Sequence, residues 1–351
     1  MVAPATAVQI APNPNPAGST IDIIDDVTAV NDLNPFDNLG TIQILSVAQN
    51  AELTNNGTLN NNGTVNISSG GTAALTNHGT LTNNGTMTGG FLSNGGTLSN
   101  NGNMEGQNLE NHGQWTNTGF LNTNAIYNDG TFTNSSPFQS AGDISNAGTL
   151  TNNSSIIGTT TYTQFDGQTI NNGSLTHGDN IDIHGGSLSG LGTVTTPTLT
   201  LASGATLSPG TTTQLGPLSL NGNLQSSGNL NFRFGGLNAG EFDVLKINGN
   251  ASFTGGNLVL NFVNGFTAAV GNSWQFLTAS AVSGWNSLLV RVNGLAAGLG
   301  YEITSANGAQ TLTITGTPAS VPEPSSLLLL GAGLIGLISF RRKLSSHQSK
   351  D

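Results

Sequence analysis

The residues with the greatest chemical potential lie closest together between positions 177 and 184. His177, Asp179, Asp182 and His184 fall within the segment T-H-G-D-N-I-D-I-H. Imidazoles and carboxylates at such spacing can bind a metal ion or act as acid and base on a sugar. However, strand alternation places Asp182 and His184 on the outward face around Ile183, with no aromatic or basic residue expected nearby. We therefore expect a solvated strand face, with a weak metal site and catalysis as alternatives.

The presence of other residues that could do chemistry is explained by their position in turns or by the composition of the chain. His78 and His112 occupy equivalent Asn-x-Gly corners two repeats apart, about 9.6 Å, which is too far for a shared metal ion. Asn-x-Ser/Thr sequons follow from the Asn-, Gly- and Thr-rich composition, and no G-x-S-x-G or S-x-x-K motif occurs. The five N-terminal aspartates lack calcium-loop spacing and predict an acidic cap: Asp22, Asp25, Asp26, Asp32 and Asp37. The sequence thus predicts no catalytic residue and no cofactor.

The charge distribution disfavours nucleic acid as a partner. Only 7% of the residues are charged, whereas soluble domains average about 25%. Before Val321 the chain has three basic and sixteen acidic residues, which gives a net charge of 3 − 16 = −13. Such a surface offers few cations for phosphate groups. Cysteine is absent, which excludes disulfides and cysteine-ligated metals.

A constant period organises the centre of the chain. Leu81, Leu98, Trp115 and Phe132 recur at every seventeenth position (98 − 81 = 17), and Leu150 follows one position later than this spacing (150 − 132 = 18). Two more apolar series and two asparagine series keep the same spacing: Leu75, Leu92, Leu109, Ile126 and Ile144; Met87, Met104, Leu121, Phe138 and Ile156; Asn77, Asn94, Asn111, Asn128 and Asn146; Asn83, Asn100, Asn117, Asn134 and Asn152. Such repetition predicts stacked coils of one architecture.

Each period contains three apolar positions, which predicts three short strands and three corners per coil. Asn-x-Gly at the corners is typical of turns, because these residues tolerate positive φ. Equivalent asparagines would then stack and form amide hydrogen bonds. We predict an all-β protein, a right-handed parallel β-helix with coils of about 17–19 residues.

Composition divides the chain into five segments. We expect a flexible Pro/Ala-rich lead (1–18) without a recognisable signal peptide, an N-terminal β cap (19–52), about nine β-helix coils (53–208), a C-terminal β region (209–316) and a sorting segment (317–351). In the later coils, we expect three inward residues to align with three others: Phe165 with Ile183, Ile170 with Leu188, and Leu175 with Val194.

The C-terminal β region has four recognisable sequence motifs. It contains L-S-P-G, G-P-L-S-L-N-G-N-L, E-F-D-V-L-K-I-N-G and V-N-G-F-T-A-A-V-G-N-S-W-Q-F-L. Residues 206–316 resemble the C-terminal part of autotransporter-type passenger β-helices. The resemblance implies wider coils that end in a capping β element.

The end of the chain combines three features in a fixed order. Val321, Pro322, Glu323 and Pro324 precede an apolar run over residues 327–340, and a basic cluster follows: Arg341, Arg342 and Lys343. This arrangement resembles the PEP-CTERM sorting signal of Gram-negative bacteria. The resemblance implies processing by an exosortase-type enzyme and delivery to the cell surface or extracellular matrix.

The apolar run also predicts a C-terminal helix that acts as a transient or marginal membrane anchor. Fourteen residues of helix span about 21 Å, less than the roughly 30 Å of a bilayer core. The basic cluster should stay on the cytoplasmic side, which places the β-helix outside.

Three functional hypotheses follow. We expect an exported, non-enzymatic structural protein of the cell surface or matrix, used in adhesion or biofilm structure, with extracellular polysaccharide as a candidate partner. A polysaccharide-active β-helix enzyme is one alternative. The other is a binder of crystalline or polymeric surfaces, ice included, through outward rows that contain Thr80, Thr97 and Thr131.

Overall fold

The computed structural model describes residues 8–25, 27–31, 34–47, 50–68, 72–106 and 108–316. Within them the regular structure is β-strand, apart from one 3₁₀ turn at Trp285–Ser287. Strand residues alternate in burial: in Thr80–Asn83, Leu81 and Asn83 point inward while the two threonines face outward. The β-branched threonines suit such half-buried strands.

The stack begins before the asparagine-rich repeat. Its first strands are β1 Val8–Gln9, β2 Thr20–Ile24, β3 Val27–Val30, β4 Phe36–Asn38 and β5 Thr41–Leu45. β1 pairs in parallel with β3, and β2 with β5. Ile10 and Asn15 are buried because they supply the same inward apolar and amide groups as the repeat. Residues 8–18, which we expected to belong to a flexible lead, therefore pack on the stack.

The repeat region contains the next 23 strands. They are β6 Glu52–Asn55, β7 Thr58–Asn61, β8 Thr64–Ile67, β9 Ala74–Asn77, β10 Thr80–Asn83, β11 Thr86–Thr88, β12 Phe91–Asn94, β13 Thr97–Asn100, β14 Asn103–Glu105, β15 Asn108–Asn111, β16 Gln114–Asn117, β17 Phe120–Thr123, β18 Ala125–Asn128, β19 Thr131–Asn134, β20 Phe138–Ser140, β21 Ile144–Asn146, β22 Thr149–Asn152, β23 Ser155–Gly158, β24 Tyr162–Gln164, β25 Gln168–Asn171, β26 Ser174–His177, β27 Ile181–Gly190 and β28 Thr193–Pro209.

Most of these strands pair in parallel with the strand three positions further along the chain, which creates three faces. Face 1 contains β6, β9, β12, β15, β18, β21 and β24; face 2 contains β7, β10, β13, β16, β19, β22 and β25; face 3 contains β8, β11, β14, β17, β20, β23 and β26. Leu98 pairs with Leu81 on one side and Trp115 on the other. The predicted parallel β-helix with three strands per coil is confirmed, while its right-handed sense stays a prediction.

Stacked apolar side chains fill the interior. Leu81, Leu98, Trp115, Phe132 and Leu150 form one column, and each is at most 2% exposed. The rings of Trp115 and Phe132 lie 3.9 Å apart between centroids and are nearly parallel. Burial of each such side chain contributes about 1.5–3 kcal/mol. The core is therefore a thin continuous column along the stack.

Glycine is required at the corners for a different reason from the one that we expected. Gly79, Gly96 and Gly113 do not have positive φ, so the prediction of left-handed corners is wrong for them. Each coil instead lies so close to the preceding one that a Cβ on Gly96 would sit 2.1 Å from the carbonyl oxygen of Gly79. That oxygen accepts a hydrogen bond from the amide of Thr97, at 2.8 Å. Close stacking of the backbones, rather than turn conformation, requires glycine here.

The register near residue 165 differs by one residue from our prediction. Gln164 and Thr169, not Phe165 and Ile170, align with Ile183 and Leu188. Phe165 is 55% exposed. Asn171 sets this register because it continues a buried series of asparagine side chains. Thr169 lies two residues before Asn171 on the same strand, so strand alternation turns Thr169 inward as well. The third aligned pair, Leu175 with Val194, is confirmed.

The C-terminal coils are wider and close with a hairpin. The strands are β29 Pro217–Ser226, β30 Asn229–Phe234, β31 Val244–Ile247, β32 Asn250–Phe253, β33 Asn257–Phe262, β34 Ser273–Thr278, β35 Ala281–Ser283, β36 Leu289–Asn293, β37 Leu299–Ala306 and β38 Ala309–Gly316. Leu230 pairs with Leu258 and Leu258 with Val290, so the sequence offset widens from 258 − 230 = 28 to 290 − 258 = 32. β37 and β38 pair antiparallel, and β38 also pairs antiparallel with β34. The stack thus continues to a terminal β hairpin.

The sorting segment over residues 317–351 lies outside the described residues. This includes the helix that we predicted over residues 327–340. Across the part of the chain that is described, the structure contains no helix with the length and apolar character needed to cross a membrane.

Candidate functional site

Face 2 presents an uncharged, hydroxyl-rich surface. Its first outward row contains Thr58, Thr80, Thr97, Gln114, Thr131, Thr149 and Gln168; its second contains Asn60, Thr82, Ser99, Thr116, Thr133, Thr151 and Ile170. Successive members of a row are in register, which spaces them by roughly 4.8 Å. Face 2 carries no charged side chain from β7 to β25. It can therefore offer hydroxyl and amide hydrogen bonds to a flat or repetitive ligand.

Two buried amide ladders support the corners on either side of face 2. In the first, the Nδ2 of Asn94 donates to the Oδ1 of Asn111 at 2.7 Å and to the carbonyl of Gln114 at 3.0 Å. In the second, Asn100 repeats this pattern with Asn117 and with the carbonyl of Phe120. These asparagines are at most 1% exposed. Because their polar groups are paired across coils, they hold successive corners in register on both sides of face 2.

A polar group lies at the corner between faces 1 and 2. The Nδ1 of His112 lies 2.7 Å from the Oδ1 of Asp129, and its Nε2 lies 3.7 Å from the Oε2 of Glu110. All three side chains are about 40% exposed, so these contacts contribute little to stability. His78 occupies the equivalent corner position two coils earlier, as the repeat predicts.

The structure separates the four candidate metal residues. His177 is 2% exposed, whereas Asp179 and His184 are exposed and Asp182 is half-buried on the outward side of β27. Within the described ranges, no group of three or more His, Cys, Asp or Glu residues is placed to hold a metal ion. His184 lies over Phe165, with ring centroids 6.1 Å apart and planes 18° from parallel. The expectation that no aromatic residue lies nearby is therefore wrong, because the one-residue register shift turns Phe165 outward.

Sequence reasoning missed a buried polar cluster that crosses the core. The Tyr162 hydroxyl lies 2.5 Å from the Thr169 Oγ1, which donates to the Oε1 of Gln164 at 2.6 Å. The Gln164 Nε2 donates to the carbonyl of Gly185 at 2.8 Å. Burial raises the pKa of Tyr162 well above its usual value. The sequence feature that could have revealed this cluster is a change of residue type at two inward positions. Gln164 follows Asn146 in one stacked series, and Thr169 follows Leu150 in another.

His177 lies beside this cluster. Its ring meets the Tyr162 ring edge-on at 5.5 Å, and its Nδ1 lies 3.0 Å from the carbonyl of Thr160. Its Nε2 is buried without a hydrogen-bond partner among the described residues. Desolvation lowers the pKa of His177, while the Thr160 carbonyl and the Asp143 carboxylate oppose that shift. Burial therefore disfavours the charged form of this ring.

A buried ion pair fixes the start of the wider coils. The Arg233 guanidinium contacts Asp243 through Nε at 2.7 Å and Nη2 at 3.1 Å, and its Nη1 donates to the carbonyl of Thr211 at 2.6 Å. Burial raises the pKa of Asp243, and Arg233 opposes that rise. The pair ties the segment between β28 and β29 to the stack. It lies beside a groove of about 360 Å³ that Thr213, Gln214 and Glu241 help to line.

Comparison with known proteins assigns the C-terminal segment. Residues 320–343 match the family model described as the PEP-CTERM protein-sorting motif. The match spans Val321 to Pro324 and the basic cluster Arg341 to Lys343, so the predicted sorting signal is confirmed. It implies an exported cell-surface protein that an exosortase processes. No curated protein matches the chain, and the resemblance to autotransporter passengers stays a loose comparison of β-solenoids.

Proposed function

We propose that this chain is a non-enzymatic structural or adhesive protein of the cell surface or extracellular matrix, with extracellular polysaccharide as its partner. The main support for this proposal is a continuous parallel stack whose face 2 is uncharged from β7 to β25 and rich in hydroxyl groups. The sorting motif supplies the route to the cell exterior.

The physical character of the stack supports this role. Nine coils rise by about 40 Å at one strand spacing per coil, and backbone hydrogen bonds link each coil to the next. A rod of this kind holds its outer rows at fixed spacing without disulfides or metal ions. Threonine hydroxyls and the amides of Asn60, Gln114 and Gln168 on face 2 can exchange hydrogen bonds with the hydroxyl groups of a polysaccharide.

The proposal is tested in a strain that produces the wild-type chain or a variant in which Pro322, Glu323 and Pro324 are replaced by alanine. We expect the wild type in the surface or matrix fraction, shortened near the motif by intact mass. The variant should stay cell-associated at full length, and the matrix should weaken in a biofilm shear assay.

Two outcomes would reject the proposal. A surface form that still ends at Asp351 would exclude C-terminal processing. Release of reducing sugar from an acidic polysaccharide, lost in Asp182→Asn, would identify a polysaccharide-active enzyme instead.

The second candidate function is binding of an ordered surface, ice included, through face 2. The in-register rows of Thr80, Thr97 and Thr131 favour it. Thr97→Lys should abolish thermal hysteresis or polymer pull-down, because a charged side chain would interrupt the flat row. Ser93→Lys, on face 1 of the same coil, is the control and should bind like the wild type.

A further inference from the structure

The wider coils form a groove on the continuation of face 2. It has a volume of about 350 Å³, and its lining residues are Thr206, Asn229, Asn231, Asn257, Val259 and Arg291. The lining contains amides, one hydroxyl, one aliphatic side chain and one cation, but no carboxylate. This composition differs from both the threonine rows and the acidic remainder of the chain.

The strand register places the groove residues one above another. Asn231, Val259 and Arg291 occupy equivalent outward positions on β30, β33 and β36. In the neighbouring row, the Asn257 Nδ2 donates to the Asn229 Oδ1 at 2.7 Å. This contact orients the two amides, so the groove is preorganised by the stack rather than by a loop.

Arg291 is the cation of this groove. Three basic residues precede Val321: Arg233, Lys246 and Arg291. Arg233 is held by Asp243, whereas Lys246 projects from β31, which belongs to a different column of strands. Arg291 is exposed and forms no ion pair with any carboxylate among residues 8–316 that the structure describes. An anionic ligand therefore meets an unneutralised guanidinium here and net negative charge elsewhere.

We propose that this groove binds a uronate-bearing segment of an acidic polysaccharide, an inference that rests on the proposed matrix function and names its ligand. The planar guanidinium of Arg291 pairs with a sugar carboxylate through two parallel hydrogen bonds. Thr206, Asn229 and Asn257 offer hydroxyl and amide groups to the ring hydroxyls. Val259 and the exposed Leu289, which pairs with Asn257 in the neighbouring row, offer contact to the apolar face of the sugar ring.

The test measures binding of the purified, folded full-length chain to oligogalacturonates by calorimetry. Neutral oligogalactans of equal length serve as the comparison ligand. We expect the acidic ligand to bind, with at least tenfold loss in Arg291→Gln and a smaller loss in Asn257→Ala. Lys246→Gln removes the same charge outside the groove and should bind like the wild type. Because Arg291 is exposed, Arg291→Gln should retain the wild-type circular dichroism spectrum and thermal midpoint.

Three results would overturn the inference. Equal binding of neutral and acidic ligands would remove the role of the carboxylate. An equal loss in Lys246→Gln would reduce the effect to net charge. Duplex DNA bound as tightly as the oligogalacturonates would make Arg291 a general anion contact.

Failure of this inference and failure of the proposed function give different results. A wild-type chain that reaches the matrix but ignores oligogalacturonates would reject the groove alone. A chain that binds them but remains unprocessed inside the cell would reject the matrix role alone.

Discussion

At the scale of single residues, the residue type that a position requires depends on the atoms of the neighbouring coil that it contacts. Glycine at a corner is required by the carbonyl group of the preceding coil, and asparagine inside a corner by the amide of its neighbour. A substitution therefore acts on two coils, and adjacent positions of the same residue type can respond very differently.

Gly95 and Gly96 provide a direct comparison. A Cβ on Gly96 would lie 2.1 Å from the Gly79 carbonyl oxygen, whereas on Gly95 its nearest neighbour would be the His78 Nδ1 at 3.5 Å. Gly96→Ala should destabilise the chain by about 1–3 kcal/mol, because the coils must separate. Gly95→Ala should stay within about 0.5 kcal/mol. Urea unfolding measures both, and equal stability of the two variants would contradict the close-packing explanation.

His177 should make stability depend on pH. Its folded pKa lies below the ordinary value of 6.5, so the unfolded chain binds the proton more readily. The contribution of the neutral ring is complete above pH 6.5 and is lost as the pH falls from 6.5 toward the folded pKa. Urea unfolding at pH 8 and pH 5 should show a larger acid-induced loss in the wild type than in His177→Gln. The exposed His184→Gln variant should retain the wild-type loss; if it also lost the dependence, His177 would not be its source.

At the scale of elements, the unit of stability is a column of equivalent strands. Its amide ladders run through successive coils and stop where the chain changes residue type. Among the described residues, the Oδ1 of Asn55 has no partner because Val30 occupies the preceding position, and Gln164 ends the same ladder below Ile183. Ladder interruptions therefore mark where one type of coil changes to another.

Removal of an internal ladder member should cost more than removal of an exposed one. Asn111→Ala leaves the Nδ2 of Asn94 and the Oδ1 of Asn128 without that partner inside the corner. We expect a loss of about 1–3 kcal/mol in the free energy of unfolding. Asn84→Ala, at an exposed corner, should change it by less than about 0.5 kcal/mol. A loss in Asn84→Ala as large as that in Asn111→Ala would show that burial does not set the cost.

The sequence predicted the columns where the period is constant. Three apolar and two asparagine series determined the strands, faces and register from Leu75 to Ile156. The prediction failed at Phe165 because the coil lengthens there: the step from Asn152 to Asn171 is 171 − 152 = 19, against 117 − 100 = 17 earlier. The longer coil places the apolar Phe165 one residue beyond the inward position, which Gln164 occupies. The prediction of a β cap over residues 19–52 agrees with strands β2 to β5, but it missed the inward Ile10 and Asn15 before them, which do not follow the repeat spacing.

The candidate sites also differ in how far the sequence alone predicts them. The sorting motif is a contiguous string, so the sequence alone revealed it. The Arg291 groove depends on β30, β33 and β36, whose residues are 28 to 32 positions apart and follow no fixed repeat. Tyr162 and His177 could not be predicted as neighbours, because they lie on different columns of strands, β24 and β26, and no repeat series relates them.

At the scale of the whole molecule, the terminal hairpin β37–β38 pairs with β34 at the C-terminal end of the described stack. Leu312 on β38 is fully buried and pairs with Trp274 on β34 and with Ile303 on β37. The hairpin covers a strand edge that would otherwise offer backbone groups to another chain.

Disruption of the hairpin should cause self-association. Leu312→Asp places a charge in the core and should open the end of the stack, which exposes β34. Light scattering after gel filtration should detect oligomers. Thr311→Asp, on the outward side of the same strand, should remain in the wild-type state. A monomeric Leu312→Asp chain that retains its β content would show that the hairpin does not protect this edge.

The hydrogen bonds between coils run along the axis of the rod, which gives the molecule a distinctive response to tension. A pull on its two ends would load the ladders in series and release one coil at a time. Each released repeat of about 17 residues extends from roughly 4.8 Å to about 58 Å of contour. A chain held at both ends would therefore lengthen about twelvefold per coil and dissipate mechanical work as the coils separate.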